Sequence, residues 1–284
     1  MAGQTEQIKL IMMDIQIIDI LLGALTGAVL ALSGAGGAIL AVPLLFFSLD
    51  LDIAEATPIA LLAVCLAATI GAISAHRQGK VRYRAAGSIA IAGALAAPAG
   101  MWLAQKIPTS PLTLLFSMVL AYVAYDMFRQ SKEASALRTF SKPCMLDSPD
   151  GRLVWTWACT RLLALAGFLA GTLSGLLGVG GGFVIVPTLK KVTNFPIQSI
   201  LATSLTAITI TSGVGVTSAI FMDAMNWSVA IPFACGAIAG MILGRLFCKG
   251  FLGPRLQKNF AITAALVSVG MVVKVTLATG FFEM

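Results

Sequence analysis

The feature that most constrains this chain is an apolar segment interrupted by glycines, which occurs twice. Residues 171–187 read Gly-Thr-Leu-Ser-Gly-Leu-Leu-Gly-Val-Gly-Gly-Gly-Phe-Val-Ile-Val-Pro, with four glycines among the five positions 178–182. Glycine weakens a helix because it loses more backbone entropy on ordering than any other residue. The segment therefore predicts an apolar helix that breaks at 178–182 and then resumes as a short apolar run.

A related segment at 27–43 repeats this pattern in the first half of the chain. Identical positions include Gly27, Gly34, Gly36, Gly37, Val42 and Pro43, which correspond to Gly171, Gly178, Gly180, Gly181, Val186 and Pro187. Interrupted apolar helices at corresponding places in two halves are the best sequence indication of a transporter's binding site. The repeat predicts two homologous halves with a binding site at the breaks.

Composition places the chain in a lipid bilayer. Its 284 residues are 58% hydrophobic and 11% charged, whereas soluble domains are roughly 25% charged. A surface this poor in charge cannot face water on all sides, so the sequence predicts an integral membrane protein. The net charge of +7 could indicate a nucleic-acid ligand. The basic residues, however, lie in short loops between apolar runs, as membrane topology requires, and we expect no nucleic-acid partner.

Ten apolar segments follow one another, five in each half. They cover 13–33, 38–49, 56–75, 85–104, 112–128, 155–177, 183–189, 197–222, 227–248 and 259–280. A bilayer-spanning helix needs about 20 residues. The runs after the two breaks are shorter, and they are either separate passes or re-entrant halves. The polar stretch 129–152 predicts a linker. We expect an all-α membrane protein with a first repeat at 1–130, a cytoplasmic linker at 131–153 and a second repeat at 154–284.

Loop charge predicts how the two repeats are oriented. If each short run is counted as a separate pass, every half has five segments. This odd number makes the two halves inverted relative to each other. If the short runs are not counted, every half has four segments and the halves are parallel. With both termini outside, the inverted plan leaves only Lys9, Lys106 and Lys274 of the 19 basic residues on the outer side. The parallel plan divides the basic residues almost evenly. Cytoplasmic loops are enriched in Lys and Arg, so we favour the inverted plan.

The motif at 178–187 and the segment Ala202-Thr-Ser-Leu that follows it resemble the TauE/SafE sulfite exporter family of bacterial permeases. The resemblance covers residues 20–280 and both repeats. The first half departs from the motif, because Ala35 and Ala38 replace Val179 and Gly182, and Thr57-Pro58 replaces Thr203-Ser204. The resemblance implies an inner-membrane exporter of sulfite, organosulfonates or related small anions. A permease or importer for another anion, such as a carboxylate, is the alternative.

The breaks themselves predict where an anion binds. Backbone N–H groups at a helix break have no intrahelical partner, and lipid offers none. The N-terminus of the resumed half-helix also carries about half a positive charge, so the two together can bind an anion without a charged side chain. Close helix packing is the competing interpretation of the glycines. The predicted donors are the amides of Gly36, Gly37, Gly180, Gly181 and Gly182 and the hydroxyls of Thr57, Thr203 and Ser204.

Other reactive side chains offer little further chemistry. The only histidine, His76, borders a basic loop and could couple proton movement, although a solvated role is more common. Asp14 and Asp19 stand near the start of the first segment, where we expect the membrane interface to solvate them. With no nucleophile–base pair and no cluster of metal ligands, the sequence argues against an enzyme. We expect no cofactor and no metal, and a homodimer remains open.

The cysteines predict neither a disulfide framework nor a zinc site. Their number is odd, they are scattered, and no CxxC pair occurs. They are Cys65, Cys144, Cys159, Cys235 and Cys248.

Overall fold

A computed structural model describes residues 2–34, 37–133, 144, 156–247 and 254–280. The described chain forms ten α-helices and no β-strand. The helices are α1 (Ala2–Ser33), α2 (Gly37–Ser48), α3 (Ile53–Arg77), α4 (Tyr83–Lys106), α5 (Thr109–Glu133), α6 (Trp157–Leu177), α7 (Gly182–Val192), α8 (Ile197–Phe221), α9 (Trp227–Phe247) and α10 (Pro254–Gly280). This confirms the predicted all-α class and each of the ten apolar segments. The division into two repeats and a linker stays a prediction, since most of 131–153 lies outside the described residues.

Seven helices in the described part of the chain are long and apolar enough to cross a membrane. The two helices after the glycine breaks are much shorter. At 1.5 Å per residue, the 12 residues of α2 and the 11 residues of α7 span about 18 Å and about 16 Å. A bilayer's hydrocarbon core is about 30 Å thick, so each short helix reaches only part of the way across.

Each short helix folds back along the helix that precedes it. A Cβ atom placed on Gly37 would lie 2.2 Å from Leu30 N, and one on Gly181 would lie 2.6 Å from Ala170 O. These contacts leave no space for a side chain. The breaks are therefore the tips of two helical hairpins, α1–α2 and α6–α7.

Glycines also bring long helices of different halves into backbone contact. A Cβ on Gly23 or Gly27 of α1 would lie 2.0 Å from a carbonyl oxygen of α9, and one on Gly240 of α9 would lie 1.9 Å from Ala24 O. In the equivalent pair, a Cβ on Gly171 of α6 would lie 2.2 Å from Gly93 O of α4. Small residues spaced in this way let membrane helices approach closely. The first long helix of each half thus packs on the fourth helix of the other half, and the halves are interlocked.

The centre of the molecule is formed by α3 and α8, which run in opposite directions. Near one end of the contact, Gly71 faces Leu205, and near the other, Gly215 faces Leu61. Between them Cys65 Sγ lies 3.6 Å from Thr209 O. Helices α3 and α8 occupy corresponding places in the sequence repeat. The tips of both hairpins lie against this central pair.

Polar contacts join the helix ends at one face of the bundle. The N–H group of Arg82, in the loop between α3 and α4, donates to Thr203 Oγ1 at 3.2 Å, and its guanidinium lies over the Phe195 ring. At the end of α7, Lys191 Nζ is 3.6 Å from an Asp126 carboxylate oxygen of α5. This face gathers the α3–α4 loop, the end of α7 and the start of α8.

A second set of contacts closes the opposite face. Lys274 of α10 donates to Asp50 Oδ1 at 2.6 Å and to Phe46 O, at the end of α2, at 3.2 Å. The Thr109 hydroxyl donates to Asp52 Oδ2 at 3.3 Å. At one face an ion pair thus joins the end of α7 to α5 of the other half, and at the opposite face an ion pair joins the loop after α2 to α10.

Two expectations from the sequence are wrong. Cys144 and Cys159 are joined by a disulfide, with the two sulfur atoms 1.97 Å apart. The reason is that the chain at Cys144 folds back over the end of α7, where its N–H group donates to Val192 O at 3.1 Å. Asp19, which we expected the interface to solvate, is buried with 1% of its surface exposed, because α1 turns this position towards the bundle.

Candidate functional site

The second glycine break is built by backbone conformations that favour glycine. Helix α6 ends at Leu177, and Gly178 follows with φ +70°, its N–H group donating to Ser174 O at 2.9 Å. Gly180 and Gly181 also have φ values near +66° and +68°. Residues with a Cβ rarely adopt this left-handed conformation. The glycine-rich sequence therefore allows a tight turn, after which Gly181 O accepts the first hydrogen bonds of α7.

This break is pressed between the two central helices. A Cβ on Gly178 would lie 2.8 Å from Thr57 Cα of α3. A Cβ on Gly180 would lie 2.8 Å from Val64 of α3 and 3.3 Å from the Ser212 hydroxyl oxygen of α8. All residues from 178 to 182 are buried. The turn is therefore enclosed by protein and is closed to both faces in this conformation.

Three buried hydroxyls on the helices that form or contact the second break have no hydrogen-bond partner among the described residues. They belong to Thr57, Ser174 and Ser212, and each is inaccessible to solvent. Thr57 and Ser212 border the break through the contacts above, and Ser174 lies one helical turn before Gly178. A buried polar group left unpaired costs about 1–3 kcal/mol. Such groups call for an explanation, and a ligand that accepts hydrogen bonds provides one.

The predicted donors lie in three places: at the first break, at the second break and beside the loop between α3 and α4. Thr57 lies at the second break rather than the first, because each break contacts the central helix of the other half. Ser204 lies at the first break, where its hydroxyl is 3.4 Å from Gly34 O and donates to Leu201 O at 2.9 Å. Thr203 instead accepts the Arg82 N–H group described above. Gly180, Gly181 and Gly182 form the second turn itself.

At the first break, the described residues form an internal chain of hydrogen bonds. The Gly37 N–H group donates to Ser33 Oγ at 3.1 Å, and that hydroxyl donates onward to Val29 O at 2.7 Å. Gly34 has φ +68° and lies against Leu201 of α8. Gly36, the other predicted donor here, lies outside the described residues. The two breaks therefore differ, as the departures of the first copy from the motif suggest.

His76 lies at the end of α3 remote from the second break, which contacts Thr57 and Val64 of the same helix. Its ring is exposed at the last turn of α3, and Nδ1 is hydrogen-bonded to the Tyr83 hydroxyl. Nothing connects it to the buried hydroxyls, and its role in proton coupling stays a prediction. The described side chains also include no group of three or more His, Cys, Asp or Glu that could hold a metal ion.

Sequence reasoning missed Ser174 and Ser212. Ser174 stands inside the repeated segment, one turn before the glycines, so its place in the motif could have indicated it. Ser212 lies deep in α8 among small and apolar residues, which is typical of ordinary helix packing. Only its position opposite Gly180 in the structure distinguishes Ser212 from an ordinary packing residue.

A many-helix membrane bundle with two hairpins meeting at its centre is the architecture of a membrane transporter, and comparison with known proteins agrees. The family model described as "Sulfite exporter TauE/SafE" matches residues 19–271. The chain belongs to the TauE/SafE family of membrane transporters.

Named relatives carry the same general description. A "Probable membrane transporter protein" of Xylella fastidiosa strain 9a5c is 31% identical over 255 residues, which is 87% of this chain and 91% of the relative. The "Probable membrane transporter protein YunE" of Bacillus subtilis strain 168 is 24% identical over 242 residues, 80% of this chain and 86% of the relative. No solved structure matches the chain.

Replacing Gly181 by alanine should destabilise the second break more than the same change destabilises an open turn. Gly79 is the matched control, since its φ of +64° is similar but no atom lies within 4 Å of its Cβ position. Both variants carry the left-handed penalty of about 1–2 kcal/mol, and only Gly181→Ala adds a contact with Ala170 O. Thermal unfolding in detergent measures the loss of stability of each variant. Equal losses of stability would contradict the enclosed turn.

Proposed function

We propose that this protein exports a small sulfur oxyanion or organosulfonate, which binds at the second glycine break. The observation that carries the proposal is that three buried, unpartnered hydroxyls lie on the helices that form or enclose the second break, with the Ser212 oxygen 3.3 Å from the Cβ position of Gly180. Hydroxyls can donate to an oxyanion, and a helix N-terminus favours negative charge. Hydrogen bonds to a charged group contribute about 1.5–3 kcal/mol each, so several together can replace part of an anion's hydration.

Sulfur chemistry and outward direction are supported by the family description alone. Sulfite and sulfonates present three oxygen acceptors around sulfur, which suits donors that approach from α3, α6 and α8. A carboxylate presents two oxygens in one plane and is the alternative substrate class. Catalysis is not proposed, since the candidate site contains hydroxyls and amides but no general base beside them.

The transport cycle we propose is alternating access between inverted repeats. The antiparallel packing of α3 with α8 supports inversion, because equivalent helices of parallel repeats would point the same way. The contact between Cys65 and Thr209 supports it further. These residues are 144 positions apart, the same spacing that separates Gly27 from Gly171, so they are equivalent residues meeting at the centre. The enclosed second break then corresponds to an occluded state, from which each face opens in turn.

In the membrane, we propose that the face with Arg82, Lys191 and the start of α8 is cytoplasmic and that the termini lie outside. Loop charge supports this orientation. The Cys144–Cys159 pair lies at the same face, where the cytoplasm of a bacterial cell keeps thiols reduced. We give precedence to charge, because it involves nearly all of the basic residues, and we expect this pair to be a dithiol in the cell.

Stabilisation by anions tests the substrate class. A ligand that binds only the folded state raises stability by about 2.7 kcal/mol at a hundredfold excess over its Kd. We expect the melting temperature of the purified protein to rise with sulfite, thiosulfate or a sulfonate and not with acetate or malonate. A rise with a carboxylate alone would leave the architecture intact and overturn the sulfur substrate.

Cysteine accessibility tests the orientation. In a background in which all five native cysteines are replaced by alanine, Gln78→Cys and Lys191→Cys should resist an impermeant maleimide added to intact cells. Asp223→Cys, in the loop between α8 and α9, should react with it. Reaction of Gln78→Cys and Asp223→Cys from the same side would contradict the inverted plan.

A further inference from the structure

Asp19 is a buried carboxyl group that the proposed anion site does not use. Its neighbours along α1, Ile17, Ile18, Ile20 and Leu21, are 51%, 45%, 42% and 64% exposed, whereas Asp19 is 1% exposed. Its Oδ1 atom has no hydrogen-bond partner, and no described residue forms an ion pair with it. Helix α1 therefore turns Asp19 into the protein, where no cation of the described residues lies against its carboxyl group.

Among the described residues, no charged side chain on the helices packed against α1 lies close enough to the Asp19 carboxyl group to stabilise its ionised form. Helix α2 contains no titratable residue. On α9, Cys235 is exposed, and Arg245 lies nine residues beyond Gly236, which is level with Ile20. At 1.5 Å per residue this places Arg245 about 14 Å further along the helix. It instead approaches Gly71 of α3.

The other titratable residues on helices packed against α1 belong to α3, and none of them faces the Asp19 carboxyl group. Glu55, in the first turn, is exposed, as are His76 and Arg77 in the last turn. The Cys65 thiol lies against Thr209 O of α8. An ionised carboxylate without a partner is very costly to bury, and such a group becomes neutral instead. Ionisable residues inside a membrane bundle commonly mark ion or proton pathways.

Position links Asp19 to the first glycine break. It begins the buried stripe of α1, which continues through Gly23, Thr26 and Leu30 to Gly34. Gly23 is the first of the glycines that hold α1 against α9, one turn from Asp19. Helix α1 can therefore close on its neighbours at this end only if the Asp19 carboxyl group is accommodated there.

We propose that Asp19 is a proton-binding site that controls closure of the outer end of α1 against the bundle. With the carboxylate ionised, this end opens so that water can reach the charge. Binding of one proton gives the neutral acid, and the enclosed packing seen here forms. Proton exchange with the outer solution thereby becomes a step of the transport cycle. This coupling rests on the proposed function, while proton binding at Asp19 does not.

Chemical labelling tests the proton site without any substrate. Dicyclohexylcarbodiimide adds to protonated carboxyl groups in apolar surroundings and not to ionised ones in water. At neutral pH we expect a mass-spectrometric adduct on the Asp19 peptide and none on the peptide of Asp223, which lies in a solvated loop. Asp19→Asn should lose the adduct, and Asp223→Asn should retain it. An Asp19 that reacts only at the acidic pH where Asp223 reacts would overturn the proposal.

Counterflow of radiolabelled sulfite in proteoliposomes tests the coupling. The wild-type rate should depend on the external pH, and Asp19→Asn, which mimics the neutral acid, should lose that dependence while still binding sulfite. An unchanged pH profile in Asp19→Asn would refute the coupling. Absence of sulfite counterflow in the wild type would instead refute the proposed substrate, leaving the labelling result to decide the proton site.

Discussion

Contact between glycine and a facing backbone carbonyl, in the pairs α1–α9 and α4–α6, is the interaction on which the rest of this structure depends. Each pair joins the two halves of the chain, so neither half can form its own closed bundle. Side chains at Gly27 or Gly171 would separate the helices and open the space in which the hairpin tips lie. Lipid cannot hydrogen-bond to exposed backbone groups, and irregular turns inside the bilayer are therefore tolerated only within such an enclosure.

Enclosure has a chemical consequence at the second break. Van der Waals packing brings Thr57, Ser174 and Ser212 to the turn, yet their hydroxyls remain unpaired, at a cost to stability. Proteins commonly give up stability at sites that must bind something else. The first break differs because Ser33 and Gly37 are hydrogen-bonded to each other. Among the described residues, the first break thus pairs its Gly37 donor internally, whereas the helices around the second break retain unpaired hydroxyls, and we assign the anion to the second break.

Much of this fold could be predicted from the sequence, and the reasons are physical. Hydropathy and length indicated all ten helices, and the glycines of 178–182 indicated the second break, because both signals are local. The partners of each helix depend on distant contacts and could not be predicted. The sequence therefore named Thr57 as a donor without indicating that it contacts the break of the other half. Ser212, the Cys144–Cys159 bond and the burial of Asp19 escaped sequence reasoning for the same reason, since each depends on which face of a helix meets its neighbour.

The most direct test of the anion site measures two melting temperatures for Ser212→Ala, one without ligand and one with the best stabilising anion. Removing an unpaired buried hydroxyl should leave the ligand-free protein as stable or more stable, by up to about 1–3 kcal/mol, and should diminish the rise produced by the anion. Ser218→Ala on the same helix is the control, because that hydroxyl already donates to Val214 O. A Ser212→Ala protein that is stabilised by the anion as strongly as the wild type would contradict the site proposed here.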